Sequence, residues 1–367
     1  MEGITIRNVG YGLVLAVAVI VAATAAAAGT IYVTSAGDFL NGDDAQESKL
    51  NGVPTGVDYM ATIDVDSMMG EGSLRDLLGK GLADYSRNQS GFDIPEDYQS
   101  ILKEFEERVG ISLEALQSIT VFGKHSENFE EILSNGYNAA LLRTGWEEDG
   151  VVASLENWVD NLKEGTYKDI TVYTIAHTRG LKGHVGRGLD AKIAVLSNGF
   201  YAIGSKDAVY DVVDTINGDL EALDGDLREQ YDRLGQGQIK FSAFLPSRDF
   251  SNMELSEGFS LEGFASLEQI SGSFSLQDSK ISVKSRLGVS DRDSAKKVED
   301  TLNGAIGLGK AMIGSQEVRD ELDKIDMGRD GNVVEITYET SVEDFSLLIG
   351  SLQDISTPRF SSVPQIG

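Results

Sequence analysis

The sequence predicts an α+β protein: an N-terminal transmembrane helix followed by mostly antiparallel sheets with helices packed on one face. Three observations carry that expectation. An apolar run from Val9 to Val33 sits in a stretch with no charged residue between Arg7 and Asp38, and a spanning helix needs roughly 20 apolar residues at about 1.5 Å each. Short segments of alternating apolar and polar residues then recur, which is the signature of strands with one buried face. Between them lie stretches with apolar residues three and four apart behind a Ser or Asp cap, the pattern of amphipathic helices.

Three readings compete for the apolar run: an uncleaved anchor, a cleaved signal peptide and a buried core helix. Small residues from Ala23 to Gly29 offer cleavage positions, yet the run continues through Ile31, Tyr32 and Val33, which favours the anchor. Arg7 precedes the run while Asp38, Asp43, Asp44 and Glu47 follow it. The bias of positive charge towards the cytoplasm then leaves the C-terminal bulk outside the cell. The expected location is the cell membrane, single-pass, or the exterior if the run is removed.

With 59 Asp and Glu against 31 Lys and Arg, the chain carries a net charge of −28. Such a surface repels nucleic acid and anionic lipid, so no nucleic-acid partner is expected and the membrane enters only through the N-terminal helix. A surface this acidic also stays soluble where salt screens its repulsion, since the Debye length falls to about 3 Å at 1 M, so a salt-loving host accounts for the charge. A rival account is an acidic surface that binds cations or a basic envelope protein. The absence of cysteine removes disulfides, thiol nucleophiles and thiolate metal sites together. Asn88, in Asn88-Gln89-Ser90, stands in a glycosylation sequon.

Taken in order, residues 1–36 form the anchor or signal, and the polar, Gly-rich residues 37–56 read as a flexible spacer. A first α+β domain is expected over 57–235. It opens with the strand Val57 to Val65, followed by helices over Ser73–Tyr85 and Asp97–Val109. A short helix from Ser112 feeds the strand Ile119–Phe122, and Tyr137–Thr144 is the next strand, followed by a helix over Val151–Leu162. Strands at Ile170–Ala176, Lys192–Leu196 and Phe200–Ile203 come next, the last two joined by a tight turn at Asn198-Gly199. The helix Ala208–Ile216 follows. The charged stretch Glu221–Gly237 marks the expected boundary. A second α+β domain over 236–355 should hold strands Ile239–Leu245, Ser271–Leu276, Ile281–Val289 and Asn332–Glu339. It also carries a helix capped by Ser290 and running to about Ile313, and another, Phe345–Leu352, capped by Ser341. Residues 356–367 form a loose tail. Strand, cap and helix recur about four times, twice in each half, which reads as an internal duplication.

Candidate chemistry is sparse. Gly304 to Ala311 has the spacing of a phosphate-binding loop, but Ala311 stands where Ser or Thr should hold magnesium, and the stretch lies inside a helical pattern. Arg179, Lys182, His184 and Arg187 form a basic Gly-rich stretch suited to an anion-binding nest, or to a solvated connection between strands. The three histidines lack metal-ligand spacing, and no GxSxG elbow occurs. Among carboxylates, Asp219, Asp224 and Asp226 are spaced to offer calcium ligands, as are Asp64 with Asp66 and Asp291 with Asp293, although none fits the twelve-residue EF-hand loop. Solvated surface and helix capping explain the same residues. No cofactor is expected.

Val57 to Val65, Phe92 to Tyr98 leading to Phe105 to Ile111, Thr120-Val121-Phe122-Gly123, and Gly204 to Gly225 with Leu223 to Arg228 resemble exported, membrane-anchored haloarchaeal surface proteins of unknown function. The resemblance spans about residues 52 to 250. It implies an envelope protein of a high-salt organism and supplies no catalytic residues. The expectation is therefore a single-pass, membrane-anchored envelope protein with a binding or structural, non-catalytic role. The alternatives are an extracytoplasmic hydrolase using carboxylates and an apolar-ligand or lipid binder.

Overall fold

A computed structural model describes residues 50–70, 103, 106, 110, 112–125, 136–178, 190–197, 199–245, 254–256, 259–260 and 264–348. The anchor, most of the spacer, the tail and, apart from helical Lys103 and Glu106, the helices expected before residue 110 lie outside these residues. Two compact units divide the described residues: a first within 50–245 together with Ser271–Asp278, and a second of those within 254–270 and 279–348.

In the first unit, β1 (Tyr59–Asp64), β2 (Leu116–Gly123), β3 (Asn138–Thr144), β4 (Val159–Tyr167), β5 (Ile170–Thr178), β6 (Asp190–Ser197), β7 (Phe200–Ser205) and β8 (Ile239–Phe244) build one sheet. Its order is β8-β1-β2-β3-β7-β6-β5-β4, with every neighbouring pair antiparallel. The helices are α1 (Val65–Gly70), α2 (Glu148–Trp158), α3 (Lys206–Ile216) and α4 (Gly225–Asp232). Gly199 takes the positive φ of 70° that the β6–β7 turn demands, and a Cβ there would meet the Thr144 carbonyl oxygen at 2.2 Å.

Helices cover both faces of this sheet, not one. Met60, Phe122, Ala139 and Leu141 pack with Ala208, Val209, Val212 and Val213 of α3 and with Leu227 and Tyr231 of α4. The alternate residues Ile63, Ile119, Val121, Ala140 and Leu142 meet Val151, Val152 and Leu155 of α2. Strand periodicity turns successive side chains to opposite faces. A run such as Ala139 to Leu142 is apolar throughout because neither of its faces meets water.

Other boundaries also move. The strand expected to open the second domain is β8, and it pairs with β1, Lys240 lying opposite Thr62. Within Glu221–Gly237, the stretch expected to mark the boundary, Leu227 and Tyr231, four apart, bury one face of α4. The helix expected to reach Leu162 stops at Trp158, and β4 takes over. Leu50 and Val53 of the expected spacer belong to the core, where both are fully buried and the Val53 carbonyl accepts from the Leu223 amide.

The second unit contains a short antiparallel pair, β9 (Glu254–Ser256) with β10 (Phe259–Ser260). The strand β11 (Leu267–Gln277) runs from the second unit into the first. Next come β12 (Lys280–Val289), α5 (Arg292–Met312), α6 (Gln316–Asp323), β13 (Ile325–Asp330), β14 (Val333–Ser341) and the helical residues 342–348, here α7. The order β13-β14-β12 is antiparallel, with α5 against all three strands. Asp291, not Ser290, caps α5: its Oδ1 accepts from the Ser294 amide at 2.8 Å, while the Ser290 hydroxyl donates to Asp291. Ser341 caps α7 as expected, accepting from the Asp344 amide. Among the described residues, two strands followed by a helix occur four times, as β2-β3-α2, β6-β7-α3, β11-β12-α5 and β13-β14-α7.

Candidate functional site

A surface assembly of functional groups is built on α3 and the β4–β5 turn. Lys168 and Asp169, with φ of 47° and 63°, form a two-residue turn of the type that matches strand twist. That turn brings Lys168 up to the helix end, where the Asp219 amide bonds back to the Asp214 carbonyl. The ammonium consequently bridges Asp214 at 2.8 Å and Asp219 at 2.7 Å. Its hydrogen bond to Asp214, followed by that to Asp219, raises the Lys168 pKa. Beside it the Tyr167 hydroxyl donates to Asp214, and its ring stacks on Tyr210 at 4.1 Å. Tyr137 donates to Asp211 at 2.7 Å, and burial, reinforced by that carboxylate, pushes its phenol well up. Lys124, Lys168 and Lys206 each lie over one of the three tyrosine rings. The carboxylates and phenols of this patch are thus engaged with cations and donors of the same chain, which fastens the β4–β5 turn to α3.

This geometry bears on the carboxylates singled out as metal ligands. Asp219 holds an ammonium. Asp224 accepts from the Thr55 hydroxyl at 3.3 Å at the start of α4, and Asp226 is exposed in the first turn of that helix. Asp64 accepts from the Ser67 amide, and Asp291 is a cap. Among the described residues no three His, Cys, Asp or Glu side chains gather as a metal site would require. Arg179, Lys182, His184, Arg187 and Asn88 lie outside the described residues. Gly304 to Ala311 is interior to α5, and Lys310 pairs with Asp323 at 2.6 Å. A helix interior points its amides along its own axis, so it offers no phosphate cradle.

Two buried clusters escaped the sequence reading. Under α4, Lys240 is 1% exposed and its ammonium lies 3.9 Å from the centre of the Tyr231 ring, while the Tyr231 and Thr62 hydroxyls share a hydrogen bond of 2.5 Å. Burial pushes the Tyr231 phenol up. In the second unit Glu321 is 5% exposed and accepts from Tyr338 at 3.0 Å and Thr340 at 2.6 Å, with Lys324 as its ion-pair partner. Lys324 also reaches Asp344. A signal existed in both cases. Glu321 stands between Val318 and Leu322 in the buried stripe of its helix, where an apolar residue is expected, and Lys240 interrupts an otherwise apolar or small strand.

No protein-family model matches the chain, and no curated protein matches it. It is similar to solved structures of TP0453 in crystal forms I, III and IV, at 9%, 9% and 10% identity. The matches cover 83%, 83% and 84% of this chain and 97%, 98% and 96% of those, with TM-scores of 0.40, 0.43 and 0.43.

Proposed function

We propose that the protein is a single-pass, membrane-anchored envelope protein whose α+β body stands outside the cytoplasm and acts by binding or structure, without catalysis. The observation that carries this reading is the uncharged stretch between Arg7 and Asp38, which is long enough to cross a bilayer. Among the described residues no helix is long and apolar enough to do so, which leaves the N-terminal run as the membrane attachment in this reading. The charge of −28 suits a body bathed in concentrated salt, and its partners would be cations or a basic envelope protein. Two measurements test the proposal together: protease digestion of intact cells, and N-terminal sequencing of the mature protein from the membrane fraction. A body trimmed from outside, with Val9 to Val33 retained in the membrane, is expected. A protected, soluble, full-length product would overturn the reading.

A further inference from the structure

We propose that the outer edge of β4 is a docking site for the outer edge of β13 on a second copy of this chain. Among the described residues each strand ends the strand order of its own unit. Both are regular, since β4 pairs with β5 and β13 with β14 without a register shift. Their edges are accessible: Lys163, Glu164, Gly165 and Thr166 are exposed on β4, as are Asp326, Gly328, Arg329 and Asp330 on β13. A regular exposed edge presents a row of backbone donors and acceptors that templates another strand.

The turns decide which residues of each strand face outward. Residues that close a two-residue hairpin loop exchange both backbone hydrogen bonds, and exchange then alternates along the ladder. Tyr167 closes the Lys168-Asp169 turn with Ile170, so Tyr167, Gly165 and Lys163 bond to β5. Leu162, Glu164 and Thr166 therefore direct their amides and carbonyls outward. Asp330 closes the Gly331-Asn332 turn with Val333, Gly331 supplying the φ of 63°, so Asp326, Gly328 and Asp330 bond to β14. Ile325, Met327 and Arg329 face outward.

An antiparallel match must set outward residues against outward residues. Among the registers that do so, the one with Glu164 opposite Arg329 also sets Lys163 opposite Asp330, so Lys163 and Glu164 both meet an opposite charge. Gly165 then faces Gly328, and Thr166 faces Met327. Arg329 already pairs with Glu299 of α5, and its five-donor fork serves a second carboxylate. Pairing β4 with itself is less favourable: the fully overlapping register opposes Lys163 to Lys163, and the adjacent one opposes Glu164 to Glu164. Because the two edges differ, addition is head to tail and leaves a β4 and a β13 open at the ends. The contact requires neither export nor a membrane, so it stands or falls separately from the proposed location.

The cysteine-free chain makes the register testable. In the matched register Gly165 and Gly328 form a non-hydrogen-bonded pair, whose Cα atoms lie about 4.5 Å apart and suit a disulfide. A Cβ at Gly328 meets nothing within 4 Å, and one at Gly165 meets the Val172 carbonyl oxygen at 3.8 Å, so both positions accept cysteine. Full-length Gly165→Cys and Gly328→Cys proteins, in detergent and about 1 M salt to screen their net repulsion, are oxidised with copper phenanthroline separately and mixed. The mixture should yield a covalent dimer at least about five-fold above either protein alone. Equal yields in all three samples, or none in the mixture, would overturn the proposal. Adding Lys163→Asp to the first protein should lower the yield about five-fold, and Asp330→Lys in the second should restore it. An unchanged yield would refute the register.

Discussion

Lys240 and Glu321, two buried charges that the sequence conceals, are accommodated by opposite means. Both sit beside a tyrosine and a threonine. Glu321, a carboxylate, draws two hydroxyl donors and the Lys324 ammonium, so its lone pairs are filled by directional hydrogen bonds. Lys240 lies against the face of Tyr231, whose hydroxyl is turned to Thr62. A ring face attracts a cation without accepting a conventional hydrogen bond. The difference teaches that the tyrosine hydroxyl belongs to the charge in one cluster and to the neighbouring strand in the other. Removing the hydroxyls should therefore have unequal effects.

The comparison can be broken in order of expected size. Glu321→Leu should cost about 3 kcal/mol in urea unfolding followed by far-ultraviolet circular dichroism, because two buried hydroxyls lose their acceptor. A cost below about 1 kcal/mol would show that the hydroxyls find other partners. Tyr338→Phe deletes a hydrogen bond to a charged group and should cost about 2 kcal/mol, whereas Tyr231→Phe leaves the ring over Lys240 and should cost about 1 kcal/mol. If the order reverses, Lys240 depends on the Tyr231 hydroxyl after all.

Alkaline pH extends the contrast to the tyrosines as a class. Burial raises the phenols of Tyr231 and Tyr338 above their ordinary value of 10.0, and burial followed by the Glu148 carboxylate brings Tyr173 to about 12. A raised folded-state pKa leaves stability complete below the unfolded value and erodes it as pH climbs through the folded one. The urea midpoint should thus fall between pH 10 and pH 12, and Tyr173→Phe should make that fall shallower. At the small end, Lys296→Ala removes an exposed i,i+4 pair with Asp300 and should shift stability by about 0.3 kcal/mol. A loss comparable to Tyr231→Phe would mean that surface charge matters here as much as buried charge.

Several elements were legible because one local rule decided them. The β6–β7 turn at Gly199, the strands around it, the α3 stripe and the Ser341 cap all follow from turn residues, periodicity or capping within a few residues. β4 was missed because Val159 to Tyr167 is an edge strand with exposed Lys163, Glu164 and Thr166, so it lacks a full apolar alternation. α4 was missed because Leu227 and Tyr231 are its only buried residues, set among Asp226, Arg228, Glu229 and Asp232. Asp219 shows the same limit for the site. Its spacing from Asp224 suggested calcium, and a lysine 51 residues away took the carboxylate instead.

By itself the sequence determined the α+β class, the antiparallel strands, the positions of α2, α3, α5 and α7, the acidic charge and the absence of thiol chemistry, since each depends on neighbouring residues or on composition. Only the tertiary structure decided that helices lie on both faces of the first sheet, that β8 joins β1, and that Lys240 and Glu321 are buried while Asp219 is neutralised. Those outcomes depend on which distant segments meet, and a charge buried at 1% exposure is tolerable only where a distant partner has been folded against it.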